Sequence, residues 1–384
     1  MEPFLFYLAA VTLAAYVIIT VDLWQGNRRI RSLRDIAPLE QDEWPRVSVV
    51  IAARNEARNV EEALRSVLNQ DYPRLEIIVA DDRSTDRTGA ILDRMAAGDA
   101  RLRPLHIKEL PPGWLGKNHA LDFAAQRASG DFILFTDADI VMHPATVRLA
   151  VSHAERARRD HVALGPEAHM PGVMLNAFLG VFGFFFSIFT RPWKAADPRS
   201  SRFIGIGAFN LIRAEAYRRV GGHRKIRMRP DDDIKLGKLI KQGGYRQELL
   251  HGVGMISVEW YASVRELIGG TEKNFFSGLE YNLAVAAGAA LLQLVFFVWP
   301  FVGVLATGGA TRWLNLIAVL VVLASYAMSA HLVGARRRYA VLFPVSVLLF
   351  IYLMWNSARK MLMNGGINWR DTHYSLAELK ANKV

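Results

Sequence analysis

Cysteine does not occur anywhere in the 384 residues. Its absence excludes disulfides, thiolate-bound zinc, iron–sulfur clusters and a cysteine nucleophile, and it leaves the compartment open. The ten histidines are scattered, and no His-Glu-x-x-His spacing puts two of them on one helix face as a zinc site requires. Gly205-Ile206-Gly207 lacks a third glycine at the dinucleotide spacing and does not follow the first strand of a βαβ unit, so it is only a weak match to that fingerprint. Acidic residues are in deficit, 36 against 47 Lys and Arg, for a net charge of +11. That balance excludes an acidic disordered chain and suits an anionic partner: lipid head groups, nucleic acid or a phosphorylated substrate. No positive charge precedes the first apolar run, as a cleavable signal peptide would require. Glu2 stands before it, and Arg28, Arg29, Arg31 and Arg34 follow it. No internal repeat or low-complexity stretch is present.

Apolar residues are abundant, at 52%, and mean hydropathy is +0.14. Part of the chain is therefore expected in a bilayer, while 22% charged residues leave room for a water-facing domain. Residues 4–21 carry no charge, which makes residues 1–25 an uncleaved anchor with its C-terminal end in the cytoplasm. Three more uncharged runs, 283–305, 314–334 and 340–358, can each cross a hydrocarbon core of about 30 Å. They predict about three helices over 283–358 and a tail over 359–384. Three crossings would place that tail outside, yet Arg359, Lys360 and Arg370 favour the inside, so either the tail breaks the charge rule or one run does not cross. In Val173–Thr190, Phe178, Phe182, Phe185 and Phe189 fall on one helix face, followed by Arg191, Trp193 and Lys194. This predicts a helix lying in the membrane interface; a buried helix of the soluble block and a true crossing are the alternatives. The expected whole is a multi-pass protein of a bacterial-type inner or plasma membrane with its soluble block in the cytoplasm. Much of the positive charge flanks the apolar runs. An anionic leaflet explains that better than nucleic acid, which is not expected as a partner.

Between the anchors, residues 46–165 alternate strand-like and helix-like segments. Val47–Ala53 is a β-branched run, after which Val60, Ala63, Leu64, Val67 and Leu68 follow helical spacing. Strands are expected again over 75–80, 102–107, 132–136 and 162–165, with helices over 88–97, 117–128 and 144–158. Repeated strand–helix–strand predicts an α/β domain with a mostly parallel, Rossmann-like sheet. Polar clusters collect where the strands end: Arg54-Asn55-Glu56, Asp81-Asp82 and Asp137-Ala138-Asp139. That edge is where open α/β sheets bind ligands.

Each cluster suggests a chemistry. Asp137 and Asp139 can hold a hard divalent cation, Mg²⁺ or Mn²⁺, and leave positions for phosphate oxygens; a solvated turn is the plain reading. Asp81 or Asp82 can accept a hydrogen bond from a base or ribose, and Asp86 can cap the next helix. Lys117, after Gly113-Trp114-Leu115-Gly116, can neutralise a phosphate at a helix N-terminus. In Asp231-Asp232-Asp233, adjacent carboxylates are expected to raise one another's pKa, which suits a general base; complementing a helix dipole is the alternative.

Taken in order, Val49-Val50-Ile51-Ala52-Ala53-Arg54-Asn55-Glu56, Asp81-Asp82-Arg83-Ser84-Thr85-Asp86, Gly116-Lys117-Asn118, Asp137-Ala138-Asp139 and Asp232-Asp233 resemble family-2 glycosyltransferases of the GT-A fold over about residues 45–280. The membrane pattern is similar to that of the lipid-modifying members: ceramide glucosyltransferase-like, hopanoid-associated and carotenoid enzymes. Residues 111–117 look most like the hopanoid-associated group. Residues 367–374 are similar to a tail motif of the carotenoid-type group, with Asp371 where a glycine is expected. The resemblance implies a nucleotide-sugar pocket lined by Ala53, Arg54, Glu56, Asp81, Asp82, Lys117 and Asp137. It implies a metal on Asp139 and Asp137, Asp233 as general base with Asp232 as the fallback, and an acceptor-side loop with Gly207, Phe209 and Asn210. The Gln-x-x-Arg-Trp motif of processive synthases is absent; residues 271–276 read Thr-Glu-Lys-Asn-Phe-Phe, where Lys273 can supply a cation. The implied activity is inverting transfer of one sugar from a UDP-sugar to the hydroxyl of a membrane lipid. The alternatives are transfer to a polyprenyl phosphate, a polysaccharide synthase, and a non-catalytic protein that binds nucleotide sugars.

Overall fold

The computed structural model describes residues 2–384. It divides into two compact units. One contains Ile30–Glu167, Pro192–Val258 and Asn368–Val384; the other contains the residues up to Arg29, Ala168–Arg191 and Glu259–Ile367.

The first unit is built on a seven-stranded sheet. Its strands are β1 (Val47–Ala53), β2 (Leu75–Asp82), β3 (Leu102–Ile107), β4 (Phe132–Asp137), β5 (His161–Gly165), β6 (Asn210–Arg213) and β7 (Gln247–His251), in the spatial order β3-β2-β1-β4-β6-β5-β7. Pairs β1–β2, β1–β4, β2–β3 and β5–β7 are parallel. Only β6 runs against its neighbours. Helices α1 (Val60–Leu68), α2 (Thr88–Gly98), α3 (Gly116–Ala125), α4 (Thr146–Arg156) and α5 (Asp232–Gln242) belong to the same unit. In α1 the buried residues are Val60, Ala63, Leu64 and Val67, the face set out by the sequence spacing. The central strands β1, β2 and β4 are almost wholly buried, as parallel strands covered on both faces must be.

Register decides where the site lies. Ala53 pairs with Asp81, Ala52 with Asp137, and Asp82 with Ile107. The polar residues that end β1, β2 and β4 are therefore level along one edge. Antiparallel β6, entering after Gly205-Ile206-Gly207, lays Asn210 beside Phe135 and Ala163. Sequence reading treated 205–210 as a loop; its last residue begins a strand. Period-two alternation over four residues is too short to signal that pairing.

The second unit is helical. Five helices are long and apolar enough to cross a membrane: Glu2–Asn27, Val173–Lys194, Leu283–Ala306, Gly309–Val333 and Arg337–Met363. A π-helical turn, Leu294–Val298, interrupts the third. Small residues allow close helix approach. A Cβ on Gly180 would lie 2.3 Å from the Tyr326 ring, whose hydroxyl donates to the Ala177 carbonyl at 3.3 Å. Phe185 packs against Phe297 and Phe350, both at 5.1 Å between ring centres. The phenylalanine stripe of Val173–Thr190 is thus divided: Phe178 and Phe185 are buried among helices, and Phe189 is exposed.

Candidate active site

Four side chains converge in one cleft of the sheet unit. Lys117 Nζ lies 2.8 Å from Asp137 Oδ1 and 3.6 Å from Asp232 Oδ1, and Asp233 lines the same cleft. Local folding explains each position. Gly116 opens α3 against β2: a Cβ there would stand 2.3 Å from Asp82 Oδ2. Asn118, one residue after Lys117, is fully buried and donates from Nδ2 to the Ile226 and Arg229 carbonyls at 2.8 and 2.9 Å. Leu115 N–H donates to the Arg227 carbonyl at 2.9 Å. These bonds tie the start of α3 to the loop that leads into Asp231-Asp232-Asp233, and so bring Lys117 to the carboxylates.

The three adjacent acids have different environments. Asp231 is gripped by Arg229, with Nε–Oδ1 at 2.8 Å and Nη2–Oδ2 at 2.9 Å, and Arg229 is 1% exposed. Asp231 is therefore a structural anchor. Asp232 is buried and faces Lys117. Asp233 accepts from Gly207 N–H at Oδ2 and from its own neighbour Ile234 N–H at Oδ1, both at 2.7 Å. Burial pushes the Asp233 carboxyl above its ordinary range and Asp137 adds to that, against the opposing pull of Lys117 and the two N–H donors. Mutual repulsion within the run was the expected cause; burial is the leading one. Gly205 and Gly207 are needed because the chain passes α5 at contact distance. A Cβ on Gly205 would stand 1.9 Å from the Asp233 carbonyl, and one on Gly207 2.9 Å from Asp137 Oδ2.

Burial alone would draw the Lys117 ammonium down, but Asp137, Asp232 and Asp233 outweigh it and hold the group charged. Burial, followed by repulsion from Asp137 and Glu56, pushes Asp139 up to about 7. Such crowding of carboxylates suits a hard divalent cation. Among the described residues no three His, Asp or Glu side chains converge as a complete metal cage.

The Asp81-Asp82 end of the edge is also built from charge. Asp82, 3% exposed, accepts from Arg83 Nε at 2.8 Å and Nη2 at 3.1 Å, and Arg54 Nη1 lies 3.6 Å away. Asp81 has both oxygens engaged by its own fold, Oδ1 by Ser84 N–H at 3.2 Å and Oδ2 by His106 at 3.1 Å. Asp86 accepts from Thr88 N–H at 2.9 Å and from Ala57 N–H at 3.1 Å, just ahead of α2, whose N-cap position is Arg87. Ala53 and Glu56 stand at the end of β1. Gly207 reaches the cleft through Asp233. Asn210 lines it but spends Oδ1 on Ile206 N–H and His161, both at 3.0 Å. Phe209 is fully buried in the core and does not line this cleft, and Lys273 belongs to the helical unit. Sequence reasoning assigned no role to Arg83, Arg370 or Tyr374. Each lies within a quoted motif, but their partners are distant in the chain and no spacing rule signals them.

Comparison with known proteins agrees with this geometry. Residues 48–221 match the family model for glycosyl transferase family 2. The 4,4'-diaponeurosporenoate glycosyltransferase of Staphylococcus haemolyticus is 24% identical over 262 residues, covering 67% of this chain and 68% of the relative. That of Staphylococcus aureus MRSA252 is 20% identical over 342 residues, 86% and 89% of the two chains. The GalNAc(5)-diNAcBac-PP-undecaprenol beta-1,3-glucosyltransferase of Campylobacter jejuni is 37% identical over 98 residues, 25% and 30% of the two. Among solved structures, the mannosyltransferase PcManGT from Pyrobaculum calidifontis, in complex with GDP-Man and Mn²⁺, superposes with a TM-score of 0.53 at 22% identity, covering 93% of this chain and 99% of that one. The strand order, the carboxylate-lined edge and the family match converge: this chain is a glycosyltransferase of GT-A fold whose residues 48–221 match family 2.

Proposed function

We propose that the protein transfers a single sugar, with inversion, from a UDP-sugar to the hydroxyl of a membrane lipid. The observation that carries this reading is the convergence of Lys117, Asp137, Asp232 and Asp233 in one cleft at the strand edge that also presents Arg54, Glu56 and Asp82. Asp233 is the base. Its carboxylate is oriented by two backbone N–H groups and takes the acceptor proton as the acceptor oxygen bonds to the anomeric carbon. The bond from that carbon to the diphosphate breaks on the opposite face, and UDP departs. The Lys117 ammonium stands where negative charge grows on the leaving diphosphate. A Mg²⁺ or Mn²⁺ ion on Asp137 and Asp139 would neutralise diphosphate charge when bound. The apolar helices explain how a water-insoluble acceptor meets a sheet domain, and the relatives named for diaponeurosporenoate and undecaprenol substrates support an apolar acceptor.

Asp233→Asn is expected to lower turnover by about 10²–10⁴-fold, with UDP affinity nearly unchanged in calorimetry. An acceptor that arrives already ionised, such as a polyprenyl phosphate, needs little help from a base. Retained turnover in Asp233→Asn would favour that second reading, which the undecaprenol-named relative supports.

The unit composition also bears on topology. Residues 30–167, 192–258 and 368–384 form one folded unit, which we take to lie on one side of a bilayer. Each intervening stretch then makes an even number of full crossings. Residues 168–191 hold a single helix, which on that premise makes no full crossing. Residues 259–367 hold three apolar helices, of which two cross. On this reading the tail would share the cytoplasmic side with Arg28, Arg29 and Arg31, as the charges of Arg359, Lys360 and Arg370 favour.

A further inference from the structure

The C-terminal residues end against the nucleotide edge. Strands β8 (Gly366–Trp369) and β9 (Thr372–Ser375) form a hairpin, followed by helix α6 (Leu376–Ala381). The two turn residues, Arg370 and Asp371, have φ of 46° and 64°. Two-residue hairpin turns of this kind favour Asn or Gly, so an Arg-Asp turn is held by its contacts rather than by preference. Those contacts are specific. Arg370 donates to the Arg54 carbonyl and to the Glu56 carboxylate. Asp371 Oδ2 lies 3.6 Å from Arg54 Nη2. Tyr374, 6% exposed, accepts from Gly116 N–H at 3.1 Å and shares a hydrogen bond with Arg83, the partner of Asp82. Beyond the hairpin, Leu379 is fully buried, and Asn382 accepts from Met228 N–H at 2.9 Å and donates to the Lys225 carbonyl at 2.9 Å. Independently, Arg54, with a side chain 10% exposed, keeps a buried Nε–H that finds no acceptor among the described residues. A donor in that state, beside Asp82 and under the hairpin, points to a ligand oxygen.

We infer that residues 370–374 are the outer wall of the donor pocket, positioning the Arg54–Glu56 loop and Arg83 around a nucleoside diphosphate. The inference rests on the donor-site reading above and adds that the pocket is incomplete without the tail. Arg370 and Tyr374 are positioning residues, since the groups they bond are protein groups: the Arg54 carbonyl, Glu56, Gly116 N–H and Arg83. Their loss should weaken donor binding and leave the acceptor side unaltered.

The test uses the full-length protein in detergent, with UDP binding by calorimetry and separate KM values for donor and acceptor. Arg370→Ala and Tyr374→Phe should each raise the UDP Kd and donor KM at least tenfold, with acceptor KM and the nucleotide-free melting temperature unchanged. Arg370→Lys, which keeps the charge and the exposed turn but loses the two-pronged grip, should fall between them and the wild type. A wild type that binds UDP, alongside variants that bind it equally or more tightly, would overturn the tail's role and leave the donor-site reading standing. A parallel rise in acceptor KM, or a fall in the nucleotide-free melting temperature that accounts for the weaker binding, would also overturn it. Failure of the folded wild type to bind UDP or GDP would overturn both.

Discussion

Asp231, Asp232 and Asp233 show how far residue identity alone carries. Their run was legible as an acidic cluster at a helix start. Their separate tasks were not, because each is set by a partner that the sequence keeps elsewhere: Arg229 for Asp231, Lys117 for Asp232, and the Gly207 N–H for Asp233. Gly205 behaves likewise. It reads as a weak cofactor motif, yet its lack of a Cβ is what lets the chain lie 1.9 Å, by the ideal Cβ position, from the Asp233 carbonyl. Gly205→Ala is accordingly expected to destabilise by about 1–3 kcal/mol and to reduce turnover by displacing the start of α5. Gly98→Ala, at the end of α2 with nothing within 4 Å of an added Cβ, should leave melting temperature and turnover unchanged or slightly raised. Equal effects at the two glycines would contradict the close-approach argument.

At the scale of elements, periodicity located β1 and α1 well because each buries one regular pattern; β3 was also located, although only its end residues Leu102 and Ile107 are buried. Strands β2 and β4 extend further than their apolar runs, through Asp82 and Asp137, since backbone pairing continues after the hydrophobic residues end. Antiparallel β6 was missed because its partners lie far away in sequence. It is pinned by a buried pair, His161 Nε2 and Asn210 Oδ1 at 3.0 Å. Burial draws His161 down to about 4, against a smaller opposing effect from Asn210, so the ring is neutral in the folded chain. The unfolded chain takes up that proton near pH 6.5. Stability from this residue is therefore present above pH 6.5 and lost as pH falls toward 4, at about 1.4 kcal/mol per pH unit. In His161→Asn, the fall in melting temperature between pH 6.5 and 4.5 should be shallower than in the wild type. An identical slope would mean that the ring titrates normally in the folded state.

For the whole molecule, composition pointed to long apolar segments beside an α/β domain, and the ordered motifs pointed to the GT-A fold; five long apolar helices and the seven-stranded sheet are what the structure holds. What local patterns could not show is where the tail returns: Arg370 meets Glu56 across 314 residues of sequence. If the folded unit lies on one side of a bilayer, as proposed, that return requires an even crossing count. Because the chain has no cysteine, single Asp42→Cys, Arg199→Cys and Lys383→Cys variants can be labelled without background. All three should react with a membrane-impermeant maleimide only after the cytoplasmic face is opened. Labelling of any one from the opposite face would contradict the single-sided arrangement.

The central claim, sugar transfer to a membrane lipid at the Asp233 cleft, is tested most directly by mass-resolved turnover. Purified wild type and Asp233→Asn, each with Mn²⁺ or Mg²⁺, would be offered UDP-glucose, UDP-N-acetylglucosamine, UDP-galactose, UDP-glucuronate and GDP-mannose against a total lipid extract. The predicted result is a lipid that gains one sugar mass, with stoichiometric UDP release, in the wild type and not in the variant. No lipid product from any donor, with a protein shown to be folded, would contradict the account.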